Sequence, residues 1–115
     1  MNISFEGIGQ EMVTFAADDG VAKGKPVKIS ANGKVSACAD GDAFIGVAAN
    51  VASDGAANVI MRGFVELDYT GTAPALGLVT IAGNGSGGIK TVTANGRQVT
   101  SVSVDTANKT VCIYM

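Results

Sequence analysis

Val59-Ile60-Met61-Arg62-Gly63-Phe64-Val65-Glu66-Leu67-Asp68-Tyr69 is the clearest β-strand in the chain, and its alternation decides the fold class. At a period of two, Met61, Val65, Leu67 and Tyr69 fall on one face, and Arg62, Glu66 and Asp68 fall on the other. Gly63 takes an inward position without a side chain. Phe64 stands on the polar face, which makes it a candidate for an apolar contact outside the core.

Outward from this run, the same period returns in short pieces separated by turn dipeptides. Asp19-Gly20, Asn32-Gly33, Asp40-Gly41, Asp54-Gly55, Asn84-Gly85 and Asn95-Gly96 are all strong turn signals. Residues 11–15 read as an early strand. Residues 26–31 and 34–38 flank Asn32-Gly33 as a tight hairpin, with Pro26 tolerated at a strand start. Residues 43–51 read as a further strand in which Gly46 marks a bulge. Residues 78–82 and 89–93 surround a glycine-rich loop that reads as a flexible hairpin connection. Residues 98–104 and 110–115 close the chain around a turn at 105–109, with Val111, Ile113 and Met115 on one face. No segment keeps a 3.6-residue period for the ten or more positions a helix needs. The expectation is an all-β, compact single domain over residues 1–115, a sandwich or barrel of short strands with Gly-rich turns and little or no helix.

Composition narrows the function classes. The chain has 115 residues, a size that suits one domain with a radius of gyration of about 13 Å. Four Phe, two Tyr and no Trp leave a core to be built from Val, Ile, Ala, Leu and Met. Eight basic against ten acidic residues give a net charge of −2, and no basic stripe exists to neutralise phosphates, so a nucleic-acid partner is not expected. No apolar run approaches the ~20 residues of a membrane helix, and residues 1–6 lack the pattern of a signal peptide, so no membrane partner is expected. Cys38 and Cys112 form no CxxC and read as free thiols in a reducing cytoplasm, a disulfide being the alternative.

Motifs that suggest chemistry fail on their context. Gly83-Asn84-Gly85-Ser86-Gly87-Gly88 fits G-x-G-x-x-G, but a β-rich segment follows where a dinucleotide site needs a helix N-terminus. Ile89 replaces the Lys of a Walker loop, and Asn84 replaces the first Gly of a nucleophile elbow around Ser86. The chain has no histidine, which removes the usual general base and the commonest metal ligand. Asp40 and Asp42 begin a calcium-loop pattern that Phe44 breaks. Glu66 and Asp68 share a strand face and read as an exposed polar surface, with a paired-acid site as the alternative. The expectation is a non-enzymatic chain with no catalytic residue, cofactor or metal.

The order of several segments resembles the head decoration (cement) proteins of tailed bacteriophages and their prophage relatives. These segments are Val13-Thr14-Phe15, Gly24-Lys25-Pro26-Val27-Lys28-Ile29, Asn32-Gly33-Lys34-Val35, Asp40-Gly41-Asp42-Ala43-Phe44-Ile45-Gly46-Val47-Ala48, and Val59-Ile60-Met61-Arg62-Gly63-Phe64-Val65. The resemblance implies a structural protein that binds the outside of an expanded head, as homotrimers at three-fold positions, and stabilises it. Its partners would be the major capsid protein and copies of itself. Its place would be the virion capsid surface, after assembly in the bacterial host cytoplasm. Residues 1–9, with apolar Ile3, Phe5 and Ile8, would be either a capsid-contacting arm that adds a strand to the shell or the first strand of the domain's own sheet. Ile3, Phe5, Ile8 and Phe64 are the candidate capsid or inter-subunit contacts. The rival expectation is a small non-catalytic β module binding carbohydrate or peptide, or an accessory domain of another assembly.

Overall fold

The computed structural model describes residues 11–115; the candidate arm over 1–9, with Ile3, Phe5 and Ile8, lies outside them. Ten strands run in chain order: β1 (Glu11–Ala17), β2 (Pro26–Ala31), β3 (Lys34–Ala37), β4 (Gly46–Val51), β5 (Ala56–Arg62), β6 (Phe64–Asp68), β7 (Gly77–Gly83), β8 (Ile89–Thr91), β9 (Arg97–Asp105) and β10 (Thr110–Tyr114). Strand covers 57% of the structure and there is no helix among the described residues, which makes the fold all-β.

The first five strands close into a barrel in the order β1-β3-β2-β4-β5, with β5 returning antiparallel to β1. Asn32-Gly33 forms the two-residue turn of the β2–β3 hairpin, and Ile29 faces Val35 across it. The closing seam is the parallel β1–β3 pair, which is only two residue pairs long. Side chains reinforce it. Asp18, just past β1, accepts from Lys34 Nζ at 2.8 Å and from Ser30 Oγ at 2.8 Å, while its own N–H donates to Val35 O at 2.9 Å. Val27, Val35, Ala48, Ala57 and Val59 fill the barrel, side chains small enough for a narrow five-stranded interior.

The last five strands form a second sheet in the order β6-β10-β9-β7-β8. Its two edges meet through a parallel bridge between Tyr69 and Ile89, where Thr70 N–H donates to Ile89 O at 3.0 Å. That bridge ties off edges that would otherwise invite pairing with other chains. A larger core joins the two bodies. Cys38, Phe44, Val47 and Ile60 from the barrel side pack with Val65, Leu67, Tyr69, Val79, Ile81, Ile89, Val99, Val111 and Ile113 of the second sheet. Met115 packs against this cluster beside Val111 and Ile113, as their shared face requires.

Two readings of the sequence need correction. Residues 59–69 are not one strand but two, β5 in the barrel and β6 in the second sheet. The chain crosses between them at Gly63, whose φ of +124° is open to glycine and strained for other residues. Met61 therefore packs with the barrel interior, while Val65, Leu67 and Tyr69 belong to the shared core. Gly46 is not a bulge inside a strand but the first residue of β4; the register irregularity lies between Ala48 and Asn50. A Cβ on Gly46 would overlap Ile60 O and stand 2.7 Å from Val59 Cγ1, so the close packing of β4 on β5 demands glycine there.

Among the described residues Ser101 is the one polar side chain in the buried set; it is 3% exposed and its hydroxyl has no hydrogen-bond partner there. A buried hydroxyl without a partner costs free energy that a methyl group does not. Ser101→Ala should therefore stabilise the fold by about 1 kcal/mol. The check is a urea unfolding curve, with a higher midpoint and unchanged slope expected; a lower midpoint would contradict the reading.

Candidate interaction surface

Strand register places four side chains in a row across the outer face of the second sheet. Phe64 on β6 faces Tyr114 on β10, Tyr114 faces Thr100 on β9, and Thr100 faces Leu78 on β7. The Phe64 and Tyr114 rings meet with centroids 4.8 Å apart at a tilt of 48°, a favourable aromatic arrangement. Leu78 and Leu76, on either side of Gly77, are each 69% exposed, and Tyr114 is 45% exposed. Large aliphatic side chains gain by leaving water, so these exposed residues, with Thr100 between Leu78 and Tyr114, make this face a candidate interaction surface.

The opposite end of the same face is polar. Glu66, Cys112 and Ser103 make the next row, and Asp68, Thr110 and Asp105 the one after. Glu66 and Asp68 thus share an exposed strand face, as the alternation predicts. Asp105 is committed to its turn, accepting from Ala107 N–H, Asn108 N–H and Asn108 Nδ2, and these bonds hold its carboxyl below the usual range.

The remaining sequence candidates have structural employment. Asp42 accepts from Lys28 Nζ at 2.5 Å and from Ala39 N–H at 2.9 Å, bonds that hold its carboxyl below the usual range. Asp40 pairs with Lys90 at 2.8 Å. The Asp40-Gly41-Asp42 turn thus points one carboxylate at the barrel and one at the second sheet. In the glycine-rich loop, Asn84 Oδ1 accepts from Ser86 N–H at 2.8 Å and Gly88 N–H at 3.0 Å, and its Nδ2 donates to Thr70 Oγ1 at 3.1 Å. Gly83 exchanges backbone bonds with Gly41 and Asp42. The loop is the hairpin connection expected from its composition, joining antiparallel β7 and β8 through a turn that these bonds tie, and no helix follows it among the described residues.

Of the expected contact residues, Phe64 lies on the outer face where the alternation put it. Ile3, Phe5 and Ile8 lie outside the described residues, and Phe44, which interrupts the calcium-loop pattern, is core at 2% exposure. Leu76, Leu78 and Tyr114 were not singled out by the sequence, because only the strand order β6-β10-β9-β7 brings them beside Phe64. Matched against models of protein families and against curated proteins, the chain matches none.

Both cysteines are free thiols. Burial, with the Asp42 carboxylate adding to it, pushes Cys38 up to about 11; burial and then Glu66 raise Cys112. Cys38 is core, whereas Cys112 is half-buried on the outer face. In mildly alkaline buffer the folded protein should take up one alkylating label, at Cys112, and the denatured, unreduced protein should take up two. Mass spectrometry reads both numbers. Two labels on the folded protein, or none after denaturation, would contradict this placement.

Proposed function

We propose that this chain is a structural decoration protein of a tailed-phage or prophage head. It binds the outside of the expanded shell, as trimers at three-fold positions, and stabilises it through contacts to the major capsid protein. The observation that carries the reading is the exposure of Leu76, Leu78 and Tyr114, with half-buried Phe64 against Tyr114 and Thr100 between Tyr114 and Leu78 on the outer face of the second sheet. A protein that works by adding contacts needs such a face. The order of sequence segments, from Val13-Thr14-Phe15 to the run ending at Val65, supports the same reading by its resemblance to decoration proteins.

In this reading the chain does no chemistry. Three of its carboxylates, Asp18, Asp40 and Asp42, are tied to lysines that hold the fold together. A sugar-binding role is less well supported, since Tyr69 is 4% exposed and, with no Trp in the chain, Tyr114 is the one exposed aromatic platform among the described residues.

The test mixes purified protein with undecorated, expanded heads built from the capsid gene found beside its own gene. Saturable binding and a raised capsid melting temperature are expected. Leu78→Asp and Tyr114→Asp lie on the surface and should fold, yet each should weaken binding by about tenfold or more. Failure of the unmodified protein to bind would overturn the decoration role. Binding that ignores both substitutions would leave that role standing and overturn this face as the contact.

A further inference from the structure

A second feature lies between the barrel and the loop of the second sheet and is independent of the capsid reading. A cleft of about 280 Å³ opens between the start of β2 and the glycine-rich loop, lined by Lys25, Pro26, Cys38, Ser86 and Gly87 among others. Lys25 is the only charged residue in its lining, and no carboxylate contributes to it. Four lysines of the described chain are half-buried: Lys25, Lys28, Lys34 and Lys90. The last three each hold a carboxylate at 2.5–2.8 Å. Lys25 forms no ion pair among the described residues.

The Lys25 side chain lies flat over Gly87. Its Cδ, Cε and Nζ stand 2.8, 3.0 and 3.1 Å from where a Gly87 Cβ would be, so only glycine lets the ammonium rest there. Asn84 uses the amides of Ser86 and Gly88, and among the described residues no acceptor meets the amides of Gly85 and Gly87. Both glycines have positive φ, +78° and +87°, and Ser86 between them carries an exposed hydroxyl. An ammonium, an alcohol and two amide donors that lack acceptors line one small cleft, and the acid that packs beside Gly85, Asp40, is paired with Lys90. Donors of this kind are matched by an oxyanion, through charge-assisted hydrogen bonds.

We propose that the cleft between Lys25 and the glycine-rich loop binds a small tetrahedral oxyanion of the phosphate class. The dinucleotide reading of G-x-G-x-x-G fails here because no helix follows; a single phosphate needs no helix, only the ammonium and the loop donors. The bound ion links the loop tip to the Lys25 ammonium that already rests on it and so braces the junction of the barrel and the second sheet, since the loop bonds to Gly41 and Asp42 through Gly83.

The test is a titration of the full-length, nitrogen-15-labelled protein with potassium phosphate, with potassium chloride holding ionic strength constant. Saturable shifts of the Gly85, Ser86 and Gly87 amides are expected at millimolar phosphate, with little response elsewhere. Lys25→Met keeps the alkyl stem over Gly87 and removes the charge, and it should weaken binding by about tenfold or more. Lys23→Met removes an exposed neighbour and should leave the titration unchanged. Linear, unsaturating shifts in the unmodified protein overturn the proposal, and this arm stands even if Lys25→Met does not fold. Equal binding by the folded Lys25→Met protein, or equal loss in Lys23→Met, also overturns it.

Discussion

The guanidinium of Arg97 holds the two halves of this molecule in one arrangement. It enters from the first residue of β9, in the second sheet, and its Nη1 donates to Ile45 O while Nη2 donates to Met61 O at 3.2 Å, both carbonyls on the barrel side. Its carbon Cζ lies 5.7 Å from the centroid of the Phe44 ring, within reach of a cation–π attraction. Burial and the neighbouring charge of Arg62 push its pKa down, so backbone carbonyls do the work that a carboxylate does in an ordinary ion pair. Hydrogen bonds to a charged donor contribute roughly 1.5–3 kcal/mol each, and these two act between bodies rather than within one. Apolar packing alone lets two layers slide; directional bonds fix their register. The Asp40-Gly41-Asp42 turn repeats the device with opposite sign, pairing with Lys28 on β2 and Lys90 on β8.

This internal use of charge shapes what the surface can do. Asp18, Asp40 and Asp42 are occupied by lysines at seams and junctions. What remains outward on the second sheet is a row of large apolar side chains at one end and carboxylates at the other, carried on strands whose inner faces are buried in the shared core. A face held by a packed core loses little conformational entropy on docking, which favours a role built from many modest contacts.

The turns and most strands were legible because their signals are local. Asn32-Gly33 specifies a two-residue hairpin by itself, and the alternation of Val111 with Ile113 places both in the core whatever they pair with. Residues 59–69 were misread where locality fails. In β5, Val59 faces the barrel interior and Ile60 the shared core, so both faces carry a buried apolar residue and the period of two does not mark the break. The break is a property of Gly63 alone, and a glycine at an inward position looks the same in sequence whether it packs or turns. Arg97 gave no signal either, since its partners are carbonyls. The apolar row needed the order β6-β10-β9-β7, which sets Phe64, Tyr114, Thr100 and Leu78 side by side from four separate strands. Phe64 alone was visible, because it interrupts an otherwise polar face.

In the proposed role, the outer face of the second sheet is what this protein presents to a shell. Electron cryomicroscopy of heads decorated with the purified chain tests it most directly, since a reconstruction shows which face meets the capsid protein. Leu76, Leu78 and Tyr114 should be packed against capsid subunits. A bound chain in which those side chains face solvent, touching neither the capsid nor a second copy of the chain, would contradict it.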